Sequence, residues 1–282
     1  MLRRISSQKS SAKINLYLDI LNKRKDEYHN IRTIFAEIDL YDSLNFTLTK
    51  NKSIKILTTK CFVNTKDNLI YKVAFFIQNK YNVNWGVKVQ LEKNIPVGAG
   101  LGGGSSNAAL TIKVLSNLWG LGLSLSEMED IARRFGSDIN FFLYGGVALG
   151  EDRGDMITPL TGLEVDNILL VNPGFEIASS QAYGSLDFEK LDHPEWRDII
   201  ENKKIDYCYN ALEDGICLIY PEIKELKQML ITKGAEKAML SGSGPTVIGF
   251  FKDRKTVREA ATFFTENKVW NIITKTRKRS TK

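Results

Sequence analysis

The sequence has few of the residues that build disulfide frameworks or metal centres. It contains three cysteines (Cys61, Cys208 and Cys217) and two histidines (His29 and His193) among 282 residues. An odd number of cysteines without C-x-x-C spacing argues against a disulfide framework and against a structural zinc site. No apolar run reaches the ~18 residues that a membrane span needs, and the N-terminus lacks the apolar core of a secretory signal. We therefore expect a cytoplasmic protein without membrane contacts.

The chain also has little excess charge outside its C-terminal end. Its 39 basic and 33 acidic residues give a net charge of +6, and residues 275–282 carry five of the basic side chains and no acid. Such a tail is either a frayed, solvated terminus or a nucleic-acid contact. Because the rest of the chain is nearly balanced, we expect the frayed terminus and no nucleic-acid partner. We expect a monomer or a weak homodimer.

The first half of the sequence alternates apolar and polar residues, which is typical of strands. The alternation predicts strands within 14–20, 31–48, 53–59 and 85–95. Between the last two, residues 68–81 have apolar residues at helical spacing. The strand at 85–95 leads directly into a loop with five glycines in seven positions, 98–104.

The remainder of the chain mixes helices and strands. Helices are predicted after the glycine loop, with Ser105 or Ser106 as N-cap and Ala108, Ala109, Ile112, Leu115 and Trp119 as the buried stripe. A second helix is predicted from a capping box of Ser126 and Glu129, and further elements within 136–146, 167–174, 221–230 and 235–251. Since no steady βαβ rhythm is present, we expect an α+β fold. The polar stretch at about 150–165 suggests two domains, 1–155 and 156–282.

The glycine loop allows three interpretations. Gly98 to Gly103 match G-x-G-x-x-G, but the following segment predicts a second helix instead of the strand that a dinucleotide fold requires. The Walker spacing fails because Gly104 stands where the lysine belongs. The third interpretation is a phosphate-binding loop that follows neither motif, with a plain flexible turn as its structural alternative. The physics common to phosphate loops is nevertheless present, since glycines expose backbone N–H groups and a helix start binds anions.

Three segments together resemble the sequence motifs of the GHMP kinases. The loop PVGAGLGGGSSNAA (96–109) resembles their phosphate loop, SAKINLYLDI (11–20) their first motif and LSGSGPTVIGFF (240–251) their third. The resemblance implies a two-domain GHMP kinase fold with a ferredoxin-like C-terminal domain, ATP as phosphate donor and Mg²⁺. The site is then expected between the two domains.

Four segments resemble one group of these kinases more narrowly. AKIN (12–15), DEYHNIRTIF (26–35), GGGSSNAA (102–109) and GSDINFF (136–142) are similar to the kinases that phosphorylate the 2-hydroxyl of a cytidine-diphosphate-linked methylerythritol. This resemblance implies a small-molecule substrate and a place in non-mevalonate isoprenoid biosynthesis. Another GHMP kinase, of the homoserine or mevalonate type, is one alternative, and a non-catalytic nucleotide-binding or RNA-binding protein is the other.

The resemblance also implies roles for individual residues. Asp138 matches the catalytic aspartate and Lys13 its lysine partner. The residues implied in ATP binding are Pro96, Gly98, Gly100, Gly102, Gly103, Gly104, Ser105, Ser106 and, near the adenine, Asn68. The residues implied in substrate binding are Asn15, Tyr28, His29, Phe35, Ser179 and Tyr183. No protein ligand for Mg²⁺ is implied.

Each of these side chains also has a purely structural interpretation. Asp138 can simply cap a helix after Gly136, Lys13 can lie on the solvent face of a strand, and a lone His29 is often structural. Strand alternation would place Lys13 and Asn15 on one face together with Tyr17. The sequence departs from the family at Glu27, where a glycine is usual, so the shape of that turn is in question. It also departs at Ser179 and Tyr183, which leaves the far wall of the cytidine pocket open.

Overall fold

The computed structural model describes residues 4–58, 66–202 and 204–279. Two long strands, β1 (Arg4–Lys23) and β2 (His29–Thr49), are neighbours in a seven-stranded sheet. The chain divides into two compact units that are interleaved along the sequence. The first unit contains the described residues up to Ala12, then Leu40–Val97 and Gly102–Tyr144; the second contains Lys13–Asp39, Gly98–Leu101 and the residues from Gly145 onward. The predicted division into consecutive domains at 155 and 156 stays a prediction.

The first unit packs helices beside one part of the sheet. Its elements after β2 are β3 (Ile54–Thr58), α1 (Leu69–Lys80), β4 (Gly86–Glu92), α2 (Gly103–Leu118), α3 (Leu125–Ala132) and α4 (Asp138–Tyr144). β4 pairs parallel with β3 and antiparallel with β2. The predicted stripe of α2 is confirmed, since all five of its side chains are buried. The capping box lies two residues earlier than predicted, because Ser124 and Glu127 form it.

The second unit contains the remaining helices and strands, and these strands belong either to the seven-stranded sheet or to a separate four-stranded sheet. They are, with their helices, β5 (Val147–Glu151), β6 (Met156–Leu160), β7 (Ile168–Asn172), α5 (Ser179–Gly184), α6 (Arg197–Asn202), β8 (Tyr209–Asn210), α7 (Glu213–Ile219), α8 (Pro221–Thr232), β9 (Lys237–Leu240), β10 (Val247–Phe250), α9 (Arg254–Glu266) and β11 (Trp270–Thr274). β5 pairs with β2 and with β6, and β8 pairs parallel with β1. The polar stretch at 150–165 therefore contains β6, which forms a hairpin with β5.

The C-terminal sheet of the second unit has a ferredoxin-like arrangement. Its strand order is β11-β7-β10-β9, and its pairs are antiparallel. In chain order this is the fourth, first, third and second strand, with α8 and α9 as the helices of the β-α-β-β-α-β unit. The predicted α+β class and ferredoxin-like C-terminal part are confirmed.

The basic tail is ordered along β2, so the expectation of a frayed terminus is wrong for its described part. The Lys275 carbonyl accepts a hydrogen bond from the Asp39 N–H at 3.0 Å, and the Arg277 N–H donates to the Glu37 carbonyl at 2.8 Å. Backbone pairing satisfies groups that a frayed end leaves to water. Residues 280–282 and Cys61 lie outside the described residues. Cys208 and Cys217 are free thiols. In the described part of the chain, no helix is long and apolar enough to span a bilayer.

Candidate active site

The inner face of β1 carries a row of buried polar side chains. Lys13, Asn15 and Tyr17 share that face, as strand alternation predicts, and they are 4%, 2% and 1% exposed. The Lys13 ammonium donates to Asn15 Oδ1 at 2.6 Å, and Asn15 Nδ2 donates to Thr33 Oγ1 at 2.8 Å. Thr33 Oγ1 in turn donates to the Tyr17 carbonyl at 2.6 Å. The solvent-face interpretation of Lys13 is therefore wrong, and its charge is held in a fixed direction.

The first part of the glycine loop packs against the glycine turn after β9. A Cβ on Gly100 would lie 2.1 Å from the Ser241 carbonyl oxygen, so only glycine fits there, and its φ is +73°. Ser241 Oγ donates to the Gly100 carbonyl at 3.3 Å. The Lys13 N–H donates to the Leu101 carbonyl at 3.0 Å. A Cβ on Gly242 would lie 3.2 Å from Lys13 Nζ. The third motif thus packs beside the first motif and the loop.

The second part of the loop starts helix α2 without a side-chain cap. The N-cap is Gly102, in a left-handed conformation with φ +67°. The prediction that Ser105 or Ser106 caps the helix is wrong, because both lie in its first turn. Ser106 is buried and its Oγ accepts from Ser10 Oγ at 2.6 Å. Since a glycine cap supplies no acceptor, the first N–H groups of α2 are suited to bind an anion.

A buried carboxylate that sequence reasoning missed holds the segment before the loop and the start of α2. Asp42 on β2 is completely buried and forms an ion pair with Lys93 Nζ at 2.7 Å. It also accepts from the N–H groups of Asn94 and Ile95, at 2.8 and 2.9 Å, and from Asn107 Nδ2 at 3.0 Å. Four donors on one buried carboxylate satisfy the charge. Its place in the apolar alternation of β2, between Leu40 and Leu44, was the available signal.

Asp138 is the first residue of α4, and its side chain is half-buried. A carboxylate in the first turn is stabilised by the helix dipole, as the capping interpretation expects. Its catalytic role and its pairing with Lys13 stay predictions. Asn68 caps α1, because its Oδ1 accepts from the Ile70 N–H at 2.9 Å. Its predicted place near an adenine also stays a prediction.

The turn that leads into β2 keeps the conformation that glycine favours. Glu27 has φ +65°, in the left-handed region, which a residue with a Cβ adopts only with strain. The Tyr28 N–H donates to Asp26 Oδ1 at 3.2 Å, and the Tyr28 carbonyl accepts from the Arg24 N–H at 2.8 Å. The side chain of Tyr28 is 53% exposed. The guanidinium of Arg153 lies 5.0 Å from its ring centroid.

His29 is stacked against two aromatic rings. Its ring centroid lies 4.9 Å from that of Tyr183, at an interplanar angle of 20°, and 6.0 Å from that of Phe188, at 18°. Burial lowers the pKa of His29 below its ordinary value, and the Lys23 ammonium lowers it further. The imidazole is therefore neutral at pH 7, with one donor and one acceptor nitrogen. The contact with Tyr183 brings two predicted substrate residues together.

The other predicted substrate residues differ in exposure. Ser179, at the start of α5, is exposed, and its Oγ lies 3.3 Å from Ser243 Oγ. Phe35 is only 1% exposed, with Lys13 Nζ 5.5 Å from its ring centroid. A Cβ on Gly150 would lie 2.7 Å from its ring. Phe35 therefore packs beside Lys13 and offers almost no surface of its own, and its ligand contact stays a prediction.

Comparison with known proteins gives the same family for both halves of the chain. The family of GHMP kinases N terminal domains matches residues 68–146, and that of GHMP kinases C terminal domains matches residues 187–269. A homoserine kinase from Cytophaga hutchinsonii has a similar fold, with a TM-score of 0.66 at 15% identity over 98% of this chain and 97% of that chain.

Closer relatives point to one group within this family. The 4-diphosphocytidyl-2-C-methyl-D-erythritol kinase of Thermodesulfovibrio yellowstonii is 39% identical over 268 residues, which are 91% of this chain and 93% of the relative. A crystal structure of 4-(cytidine 5'-diphospho)-2C-methyl-D-erythritol kinase superposes with a TM-score of 0.81 at 27% identity, covering 96% of this chain and 99% of that chain. Together with the glycine loop and the row on β1, these matches show that the chain belongs to the GHMP kinases and, among them, to the 4-diphosphocytidyl-2-C-methyl-D-erythritol kinases.

Proposed function

We propose that this chain transfers the γ-phosphoryl group of ATP to the 2-hydroxyl of 4-diphosphocytidyl-2-C-methyl-D-erythritol, a step of non-mevalonate isoprenoid precursor biosynthesis. The observation that carries this proposal lies within the second unit. There, the buried Lys13–Asn15 pair packs beside the first half of the glycine loop, and β2 of the same unit presents the stacked His29. A phosphate loop with an aromatic site is the combination that a kinase for a cytidine-linked alcohol requires.

The glycine loop would bind the phosphate donor. GHMP kinases use ATP as their phosphate donor, and backbone N–H groups at the start of α2 would bind its phosphates. Mg²⁺, when bound, neutralises phosphate charge. Within 4–58, 66–202 and 204–279, no three His, Cys, Asp or Glu side chains form a metal cluster. Mg²⁺ in phosphotransferases is usually held by phosphate and water with one or two carboxylates, so its binding does not require such a cluster.

Lys13 and Asp138 would act in the transfer of the phosphoryl group. Phosphoryl transfer depends on positioning and on charge stabilisation more than on covalent chemistry. The ammonium of Lys13, fixed by Asn15, would stabilise the negative charge that moves from donor to acceptor. Asp138 would orient the attacking hydroxyl and accept its proton. The phosphoryl group then passes directly from ATP to the acceptor, and ADP leaves.

The aromatic rings at His29 and Tyr28 would recognise the cytidine part of the acceptor. Aromatic rings stack on the face of any base, whereas hydrogen-bonding groups at the edge of the base discriminate between bases. A nitrogen of neutral His29 can either accept from the amino group of cytosine or donate to its ring acceptor. Tyr28 supplies an exposed ring for stacking. The cytoplasmic location and the monomer or weak homodimer remain part of the proposal.

The test is ADP formation by the purified chain with a panel of acceptor alcohols. We expect turnover with 4-diphosphocytidyl-2-C-methyl-D-erythritol and none with homoserine or mevalonate. In Asp138→Asn, turnover should fall about 100-fold or more, as for the loss of a general base. Turnover with homoserine or mevalonate instead would move the chain to another GHMP kinase activity, and an unchanged rate in Asp138→Asn would remove the proposed base.

A further inference from the structure

The segment 187–194, which follows α5, contacts the site region of the second unit at both of its ends. We refer to it as the strap. Near its start, the ring of Phe188 stacks on His29. At its other end, His193 and Pro194 contact β1. None of these strap residues belongs to the motifs on which the family resemblance rests.

Three side chains attach the end of the strap to β1, and we call them the latch: Tyr17, Asp19 and His193. The Tyr17 hydroxyl donates to the Pro194 carbonyl at 2.6 Å. His193 Nδ1 lies 2.8 Å from Asp19 Oδ1. The Asp19 carboxylate is 2% exposed, and the Tyr17 hydroxyl also contacts it, at 3.4 Å. A buried carboxylate needs such donors, so detaching the strap would leave Asp19 with fewer partners.

The latch acts on the same strand face as the proposed phosphoryl-transfer groups. Asp19 and Tyr17 continue the alternation that starts with Lys13 and Asn15. The Tyr17 carbonyl and Asn15 also share the hydroxyl of Thr33, at 2.6 and 2.8 Å. Burial, and then the Asp19 carboxylate, raise the pKa of Tyr17 well above its ordinary value. The phenol therefore keeps the proton that it donates to the strap.

We propose that the strap strengthens binding of the cytidine part of the substrate: Phe188 fixes the plane of the His29 imidazole, and the latch holds the strap on β1. This inference rests on the proposed function, in which His29 meets the cytosine of the substrate. Phe188, Tyr17 and Asp19 are positioning residues, because Phe188 acts through His29 and the other two act through the strap.

The physical reason is the geometry of a stacked ring. An imidazole that packs against two nearly parallel rings cannot tilt without losing contact area with both of them. The ring nitrogens of His29 then remain available for hydrogen bonds to a ligand. A fixed edge loses less conformational entropy when it binds a base than a freely rotating ring does. Without Phe188, His29 would sample other orientations and the site would bind cytidine less tightly.

The experiment measures CDP binding by titration calorimetry, with ADP present at saturation to occupy the donor site. The variants are Phe188→Ala and Tyr17→Phe. Trp85→Ala is the matched control for the first, because Trp85 is 43% exposed and Phe188 is 42% exposed. Tyr220→Phe is the control for the second, since it removes a hydroxyl that donates to Gln181 Oε1 at 3.4 Å. The KM for ATP and the midpoint of thermal unfolding are measured in parallel.

We expect both strap variants to bind CDP about threefold to tenfold more weakly, with the KM for ATP unchanged. Both controls should bind CDP as the wild type does. Equal CDP affinity in Phe188→Ala and Trp85→Ala would overturn the inference. So would a loss in Tyr17→Phe that is matched by an equal rise in the KM for ATP, because general damage would then explain it.

The failure of the proposed function gives a different result. A wild type that binds CDP through the strap but does not phosphorylate the methylerythritol acceptor would refute the proposed reaction and support the strap. A wild type that turns over this acceptor but has the same affinity for CDP in all four variants would support the reaction and refute the strap. A wild type that does not bind CDP would refute the strap as well.

Discussion

The support of helix α2 in the first unit and the rings around His29 in the second unit are stabilised in different ways. The first depends on a completely buried carboxylate, Asp42, with four donors within 3.0 Å. The second depends on ring contacts around His29, with Tyr28 and Phe188 both more than a third exposed. Buried, fully satisfied polar groups fix one geometry, whereas exposed rings bind by area and tolerate change. The segment before α2 is therefore held in one geometry, whereas the rings around His29 lie where substitutions are tolerated.

The largest effect should come from the glycine loop itself. In Gly100→Ala, the new methyl carbon would lie 2.1 Å from the Ser241 carbonyl at a φ of +73°. The loop must shift, so we expect the kcat/KM for ATP to fall about 100-fold or more. Gly120→Ala is the matched control, because Gly120 has a φ of +68° with no atom within 4 Å of the added Cβ. Wild-type kinetics in Gly100→Ala, or an equal loss in both variants, would contradict the role of the contact with Ser241.

A second substitution tests the buried carboxylate. In Asp42→Asn the Lys93 ammonium loses its charged partner while it is still largely buried. Breaking such a pair costs about 3–5 kcal/mol, so the free energy of unfolding should fall by that amount and the KM for ATP should rise. Denaturant unfolding and steady-state kinetics measure the two effects. The exposed Asp166→Asn should change stability by less than about 0.5 kcal/mol. A fall in stability with an unchanged KM for ATP would separate Asp42 from the loop.

A third substitution relieves backbone strain in the turn that leads into β2. Glu27 has a φ of +65°, which costs about 1 kcal/mol for a residue with a Cβ. Glu27→Gly should therefore stabilise the protein by about 0.5–1 kcal/mol, after allowance for the greater freedom of glycine in the unfolded chain. Glu201→Gly, within α6, should instead destabilise it by about 1 kcal/mol. Thermal unfolding measures both changes, and destabilisation by Glu27→Gly would contradict this interpretation of the turn.

The smallest effect concerns pH. The lowered pKa of His29 means that its neutral form persists below the ordinary histidine range, so CDP affinity should be constant above it and fall only as pH drops through the lowered value. Lys23→Gln removes the second cause of that shift. The pKa should then rise toward its ordinary value, and the loss of affinity should begin at a higher pH. A shift of the acid limb to lower pH would contradict the assignment.

The sequence predicted much of the fold and part of the site, for physical reasons that differ among residues. Alternation placed Lys13 and Asn15 on one face because strand geometry alone decides it. The capping prediction at Ser126 failed because Ser124 offers an equivalent signal, whereas that at Ser105 failed because α2 begins after a left-handed glycine, Gly102. The Asp42 network, the latch and the pairing of the basic tail join residues far apart in the chain. No local pattern encodes such contacts, so only the structure reveals them.

The central claim is that the cytidine part of the substrate is recognised separately from the reaction. Its most direct test compares ADP formation by the wild type with 4-diphosphocytidyl-2-C-methyl-D-erythritol and with 2-C-methyl-D-erythritol 4-phosphate, which has the same hydroxyl but no cytidine. We predict a kcat/KM at least about 100-fold higher with the cytidine-bearing acceptor, because its base binding positions the hydroxyl for transfer. Equal kcat/KM values for the two acceptors would contradict the claim.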